Sequence, residues 1–354
     1  MQRTPLYDEH LALGGKVVDF HGWALPVQFA GIVQEHTHTR TQASLFDCSH
    51  MGEFVVKGVD AIRAYAGLIT SDLDALRVGR ARYGLMLNDK GGIIDDIVTI
   101  RLADDELYVV TNAGPLEAVS GRICGAHAGC RDVSASTAKI DIQGPIARDI
   151  LVRELPEAAE LKYFEARRTH WQGSEIVLSR TGYTGEMGFE LFVPADIAVD
   201  VWRRLLSHEG VAPAGLGARD TLRTEMGYSL SGQDFDESRT PLEASLDTFI
   251  AWNTEFVGKQ ALEAQKNAGG YDRLTAIRTG DRRSPRHEFE VQDGDARVGV
   301  VTSGTFGPSV GCGIGLAYLK PAYAVAGRTL TAGPKGLSIE TAELPFYRQG
   351  TCRK

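Results

Sequence analysis

The sequence predicts an α+β fold made of several domains, and two observations support this. Strand-like segments dominate the chain, and they do not alternate with the fewer helix-like segments in the regular order of a doubly wound parallel sheet. The chain has 354 residues, which at about 150 residues per domain predicts two or three domains. Its 43% hydrophobic and 24% charged residues are typical of a globular protein.

The clearest strand pattern is a hairpin. Residues 96–102 and 106–112 are rich in β-formers and are joined by three polar or small residues. Further strand-like segments lie at 175–180, 189–193 and 297–303.

Two segments have helical periodicity. Asp60 is a predicted N-cap for a helix whose apolar face begins at Ile62 and Tyr65, and Asp196 precedes a second helix with Val201 on its inner face. Residues 267–272 have linker composition and precede a strand-rich segment, which predicts a domain boundary there.

Charge and hydropathy exclude several classes of protein. There are 46 acidic and 38 basic side chains, a net charge of −8, so the chain lacks the basic surface that nucleic-acid binding needs. No run of about 18 apolar residues occurs, and the first ten residues have neither a signal core nor an Arg-rich presequence. We therefore expect no nucleic-acid partner and no membrane association.

The cysteines indicate a reducing compartment. They are few, odd in number and scattered, and no Cys-x-x-Cys pair occurs. This pattern is typical of a cytoplasmic protein rather than of one built on a disulfide framework. The five are Cys48, Cys124, Cys130, Cys312 and Cys352.

The first motif that suggests chemistry is Gly-Gly-Ile-Ile-Asp-Asp at 91–96. The glycines permit a turn, and the two aspartates fall where the hairpin begins. Because neighbouring strand residues point to opposite faces, only one of Asp95 and Asp96 is expected to face a given cleft. The motif is either a turn with solvated acids or a carboxylate at the floor of a pocket.

A second motif, residues 181–190, combines three glycines, a tyrosine and two glutamates. Such a loop suits a flat ligand, and Glu190 is expected to point away from Phe189 and Leu191. A carboxylate there could accept two hydrogen bonds from a 2-amino-pyrimidinone edge.

A third motif, residues 215–223, has the character of a helix start. Arg219 and Arg223 lie one turn apart and could clamp a carboxylate, or they could form salt bridges to Asp220 or Glu225. The Gly-x-Gly at 215–217 lacks the rest of a dinucleotide fingerprint, and the histidines have no metal-type spacing. We expect neither a metal nor a nucleotide.

Together these motifs resemble one family, the T-protein of the glycine cleavage system, an aminomethyltransferase. The similar segments follow the family's order along almost the whole chain. They are residues 4–7, 18–23, 46–52, 91–96, 180–190, 215–219, 232–237, 302–306 and 345–347.

The resemblance implies a three-domain clover-leaf with a central folate channel and a C-terminal β-barrel-like domain. The implied division is a folate-binding domain of residues 1–52 and 137–240, a second α+β domain of 53–136 and 241–270, and a C-terminal domain of 271–354.

The resemblance also implies the reaction and its residues. The methylene of an aminomethyl group on the lipoylated H-protein passes to tetrahydrofolate, and ammonia is released. Asp96 matches the catalytic aspartate, and Glu190 and Arg219 match residues that hold folate. The other channel residues implied are Tyr83, Met51, Asn112, Tyr183 and Tyr228.

Two alternatives share the scaffold. One is a tetrahydrofolate-dependent demethylase, since kinship of fold does not fix the substrate. The other is a non-catalytic folate-binding protein of iron–sulfur assembly. That group has a Lys-Gly-Cys-x-x-Gly-Gln pattern, which residues 256–260 lack. Departures from the family pattern, at Thr248, Gly307 and Cys312, lie outside the three motifs.

Overall fold

The computed structural model describes residues 1–354 and contains eight α-helices and twenty β-strands. None of the helices combines the length and the apolar character needed to cross a bilayer. The helices are α1 (Tyr7–Ala12), α2 (Ile32–Thr41), α3 (Ala61–Ala66), α4 (Leu116–Ala126), α5 (Ala147–Glu154), α6 (Ala198–Leu206), α7 (Leu216–Met226) and α8 (Lys259–Ala268).

The strands form three large sheets and one small one. They are β1 (Gln2–Arg3), β2 (Lys16–Phe20), β3 (Trp23–Gln28), β4 (Ala43–Asp47), β5 (Gly52–Lys57), β6 (Arg80–Leu87), β7 (Ile93–Ala103), β8 (Glu106–Thr111), β9 (Cys130–Asp132), β10 (Thr137–Gln143), β11 (Ala166–Trp171), β12 (Ser174–Ser179), β13 (Gly188–Pro194), β14 (Val211–Pro213), β15 (Arg273–Thr279), β16 (Glu290–Asp293), β17 (Ala296–Gly307), β18 (Cys312–Leu319), β19 (Thr329–Ala332) and β20 (Leu337–Ala342).

A six-stranded sheet has the order β11-β12-β13-β10-β4-β14, and only its β4–β14 pair is parallel. Along β10 and β13 the side chains alternate between two environments, as the period of a strand requires. Ile140, Phe189 and Leu191 enter a core that α5 and α6 cover. Lys139 and Glu190 lie on the opposite face, so the predicted orientation of Glu190 is confirmed.

A five-stranded sheet has the order β6-β7-β8-β5-β9, and it contains the predicted hairpin as β7 and β8. Helices α3 and α4 contribute to the core on one face of this sheet. Its other face packs against the six-stranded sheet through Val55, Tyr108, Val177 and Phe192. The polar face of β10 therefore lies near the junction of the two sheets.

The C-terminal strands close into a barrel with the order β15-β18-β17-β16-β19-β20. The barrel begins at Arg273, directly after the predicted linker, so the α+β class and the C-terminal barrel are confirmed. The division of residues 1–270 into two discontinuous domains stays a prediction.

The predicted N-cap at Asp60 is wrong, whereas Asp196 precedes a helix as predicted. Asp60 has φ +64°, a left-handed conformation rather than the extended one of an N-cap, and its side chain makes no capping hydrogen bond. Asp196 lies within a 3₁₀ turn, Ala195–Ile197, that precedes α6. Both helices exist where predicted because their apolar faces are buried in the sheet cores.

The cysteine prediction also needs a correction. Cys124 and Cys130 form a disulfide between the end of α4 and the start of β9, with a Cα–Cα distance of 4.9 Å. The helix end and the strand start are brought together by a short turn, which spacing alone did not reveal. Cys48, Cys312 and Cys352 are free.

Candidate functional site

Two neighbouring acids of the Gly-Gly-Ile-Ile-Asp-Asp motif converge on one amide. Asn112, the residue after β8, donates from its side-chain nitrogen to Asp95 Oδ1 at 2.8 Å and to Asp96 Oδ1 at 2.6 Å. Its main-chain nitrogen donates to Asp95 Oδ2 at 2.9 Å. Asp95 is buried and Asp96 is partly exposed, so only Asp96 is open to a ligand, yet both carboxyls share a partner.

The pKa values of both acids lie far above the ordinary value for aspartate. Burial raises the pKa of Asp96 to about 6, although hydrogen bonds from Tyr83 and Asn112 oppose the shift. Burial and the neighbouring Asp96 charge raise the pKa of Asp95 to about 7. The pair can therefore exchange a proton near neutral pH.

Tyr83 lies on β6 beside this pair and stays protonated. Burial, together with the Asp96 charge, raises the pKa of its phenol well above the ordinary value. The phenol is therefore a hydrogen-bond donor to Asp96 at any physiological pH. Its ring contacts Phe249 with centroids 4.5 Å apart.

Glu190 belongs to a buried group of alternating charges on β10, β13 and α7. Lys139 Nζ lies 2.8 Å from Glu190 Oε1 and 2.6 Å from Asp141 Oδ1. Arg219 contacts the other oxygen of Asp141 at 3.1 Å. Thr181 donates to Glu190 Oε2 at 2.5 Å. Two cations and two carboxylates therefore balance one another away from bulk water.

The pKa values within this group follow from the pairing. Burial opposes charge on each group, but the carboxylates of Asp141 and Glu190 raise the pKa of Lys139, and the cations lower that of Asp141. Beside them, burial raises the pKa of Cys48 to about 12. That thiol is therefore not a nucleophile at neutral pH.

An aromatic pair connects the two carboxylate centres. Tyr183 and Tyr228 stack with centroids 5.6 Å apart, and the Arg219 guanidinium lies 5.0 Å from the centroid of the Tyr183 ring. The charges of Asp96 and Arg219 both act on the Tyr183 phenol. Met51 packs where the two sheets meet. Seven of the eight predicted residues, all but Met51, are thus linked by direct contacts or mutual charge effects.

Arg223 does not join Arg219 as a clamp. Its guanidinium contacts Asp220 and Asp234, each at 2.7 Å, and its side chain is buried. A helix begins at the predicted place, as α7. Arg223 forms salt bridges, which was the alternative to a carboxylate clamp. Arg219 remains partly accessible and next to the aromatic pair.

A cavity of about 430 Å³ opens beside Tyr83. Its lining combines aromatic and basic side chains, which suits a ligand with an aromatic ring and a carboxylate tail. The aromatic residues are Tyr83, Tyr163, Phe164 and Phe249, and the basic residues are Arg77, Arg80 and Arg82.

Two family models together match most of the chain. The GCVT N-terminal domain matches residues 6–254, and the glycine cleavage T-protein C-terminal barrel domain matches residues 273–348. The chain belongs to the glycine cleavage T-protein family.

Individual members of this family match the chain over nearly its full length. The aminomethyltransferase of Rubrobacter xylanophilus is 41% identical, covering 99% of this chain and 95% of the relative. That of Halothermothrix orenii is 38% identical, covering 98% and 100%. The crystal structure of the glycine cleavage system aminomethyltransferase T from Bartonella henselae superimposes with a TM-score of 0.94 at 31% identity, covering 99% of each chain.

Sequence reasoning missed Lys139 and Asp141 in this T-protein site. A signal was present, because residues 139–143 alternate polar and apolar, which places Lys139, Asp141 and Gln143 on one face of a strand. Buried charges on such a face need partners, and Glu190 and Arg219 are the partners that the fold supplies.

Proposed function

We propose that this chain is an aminomethyltransferase of the glycine cleavage system. Its carrier substrate is the lipoylated H-protein, and its second substrate is tetrahydrofolate. The carbon–nitrogen and carbon–sulfur bonds of the aminomethyl group break, and the methylene carbon forms bonds to N5 and N10 of folate. The two protons lost from those nitrogens complete ammonia and the dihydrolipoyl thiol.

The observation that supports this most directly is the Asp95–Asp96–Asn112 cluster. Asp96 is a partly exposed carboxyl with a pKa of about 6, held at 2.6 Å by Asn112 and faced by Tyr83. At neutral pH it is largely ionised and can accept a proton from the attacking nitrogen or stabilise positive charge on the methylene carbon. The rest of the catalysis is positioning of two substrates in one channel.

Glu190 and the aromatic pair are proposed to hold folate. The pterin edge presents adjacent N–H donors, which a fixed carboxylate accepts in pairs. The free lone pairs of Glu190 serve this purpose while Lys139 and Thr181 hold the group in place. The rings of Tyr183 and Tyr228 are proposed to pack against folate, and Arg219 to pair with its negative charge. Met51 is proposed to line the same site. The cavity beside Tyr83 suits the aminobenzoyl-glutamate part.

The deciding experiment is turnover with aminomethyl-loaded H-protein and tetrahydrofolate, following ammonia and 5,10-methylenetetrahydrofolate together. We expect equal amounts of both products. Asp96→Asn should bind folate normally and lose about 10²–10⁴-fold in rate. Asp89→Asn, at an exposed acid seven residues earlier, is the matched control and should behave as wild type.

The demethylase alternative predicts folate binding without either product, and a screen of methyl donors on sulfur, oxygen and nitrogen would then follow. A cytoplasmic location is part of the proposal. The few, scattered cysteines support it, and the Cys124–Cys130 disulfide argues against it. Cell fractionation tests it directly.

A further inference from the structure

The segment 343–354 leaves the barrel after β20 and runs, without regular structure, back to the six-stranded sheet. It ends against the loop 180–187, which joins β12 to β13 and holds Tyr183. The main-chain nitrogen of Cys352 donates to Gly185 O at 3.1 Å. At Gly350 a Cβ would lie 2.4 Å from Gly185 O, so the two backbones are in close contact.

Thr351 makes three hydrogen bonds to this loop. Its hydroxyl donates to Glu186 Oε2 at 2.5 Å and accepts from the main-chain nitrogen of Met187 at 2.8 Å. Its own main-chain nitrogen also donates to Glu186 Oε2, at 3.2 Å. Thr351 thus binds the loop through both its side chain and its backbone.

The other oxygen of Glu186 is held by Arg40, at 2.9 Å. Arg40 also donates to Thr184 O at 2.6 Å and to Glu225 Oε2 at 2.9 Å. The Tyr347 ring lies 4.1 Å from the Arg40 guanidinium. Because Arg40, Glu186 and Glu225 are all buried, this network ties the loop to α2, to α7 and to the segment 343–354.

We infer that Thr351 is a positioning residue of the folate site, acting through Glu186 and Met187 on the loop that presents Tyr183 and leads into Glu190. The inference rests on the proposed function, because it assigns the loop to folate. Nothing else in the structure holds Glu186 Oε2, so removal of the Thr351 hydroxyl leaves a buried charged oxygen with only one donor.

Cys352 provides a probe of the same contact. It is partly exposed, and its thiol lies beside Tyr163, which in turn faces Tyr228 of the proposed site. Cys48 is buried, so in a Cys312→Ser background Cys352 is the thiol open to a reagent. Its rate of labelling reports whether the segment is seated on the loop.

The test compares Thr351→Val with Thr351→Ser and with Thr331→Val, a control in the barrel on β19. Thr351→Val should raise the KM for tetrahydrofolate roughly 10-fold, the effect of losing hydrogen bonds to a charged group, with kcat within about twofold. Thr351→Ser should restore the wild-type KM. Bound tetrahydrofolate should slow the labelling of Cys352, and Thr351→Val should accelerate it.

Two outcomes would overturn the inference. The first is a wild-type KM in Thr351→Val, which marks a purely structural contact if thermal stability falls. In that case wild-type binding of tetrahydrofolate leaves the proposed function standing. The second is a wild-type protein that binds no tetrahydrofolate, which removes the proposed function as well.

Discussion

Lys139 and Glu190 lie on neighbouring antiparallel strands, with Nζ 2.8 Å from Oε1 and both side chains nearly excluded from water. Asp141, two residues along β10, binds the same ammonium at 2.6 Å. Lys139 thus bridges two carboxylates, and one of them is the proposed pterin acceptor. The position of Glu190 therefore depends on its pairing with Lys139.

Replacing Lys139 with Met should therefore destabilise the protein strongly. Methionine keeps the length of the side chain but leaves Asp141 and Glu190 buried with one cation fewer, a loss of about 3–5 kcal/mol in the free energy of unfolding. Urea unfolding measures it. The control is Lys57→Met, since Lys57 pairs with Glu106 at 3.0 Å but is 55% exposed, and its change should be under about 1 kcal/mol. Equal losses in the two variants would contradict the assigned role.

Much of this architecture could be predicted from sequence because it depends on local patterns. The hairpin of β7 and β8, the direction of Glu190 and the helix at 216–226 follow from strand alternation and helical spacing. The partner of Glu190 could not be predicted in this way. Strand β10 pairs with β13 and β4, which are 45 and 90 residues from it, and only that order brings Lys139 to Glu190.

The same limit applies to the acid pair. Alternation correctly separates buried Asp95 from partly exposed Asp96. It does not reveal that Asn112, beyond the next strand, reaches both carboxyls. The family resemblance supplied Asn112 as a channel residue, and the structure shows the contact that it makes.

Glu53→Gln should stabilise the protein in alkaline solution. Glu53 is fully buried, neither carboxyl oxygen has a hydrogen-bond partner, and burial raises its pKa well above the ordinary value. The charges that act on it are Lys139, Asp132 and Glu190. Because the folded state binds this proton more tightly than the unfolded state, wild-type stability falls as pH rises above the ordinary glutamate pKa, until the folded pKa is passed.

Glutamine cannot ionise, so the stability of the variant does not fall with rising pH for this reason. Its advantage over wild type should be absent near pH 4 and grow by up to about 1.4 kcal/mol per pH unit above that. Urea midpoints at pH 4.5 and pH 8 measure the difference. Glu263→Gln, exposed on α8, should show no such trend. A Glu53→Gln advantage that is constant with pH would argue for a packing effect instead.

Tyr83→Phe should move the acid limb of the pH–rate profile to higher pH. Burial raises the pKa of Asp96, and the phenol of Tyr83 opposes that shift by donating to the carboxylate. Without the phenol, Asp96 is protonated at higher pH, so kcat/KM falls earlier on acidification. Turnover measured between pH 5.5 and 9 shows this. A uniform loss at every pH would instead assign Tyr83 to substrate binding alone.

Asp95→Asn should leave the same limb in place. The pKa of Asp95 is about 7 and that of Asp96 is about 6, so Asp95 is still protonated over the pH range in which Asp96 loses its proton. The neutral carboxyl carries no charge for asparagine to remove, and burial rather than Asp95 raises the pKa of Asp96. Measured between pH 5.5 and 9, the acid limb of kcat/KM in Asp95→Asn should coincide with that of the wild type.

The pair of variants makes the assignment of the base testable. If Asp96 is the group whose ionisation limits turnover, Tyr83→Phe moves the limb to higher pH and Asp95→Asn leaves it in place. If Asp95 were that group, Asp95→Asn would abolish turnover at all pH values and leave no limb to measure. Asp104→Asn, an exposed acid in the turn between β7 and β8, controls for a general change of charge on the hairpin. Its profile should coincide with the wild type, because a charge 97% exposed is screened from the buried pair.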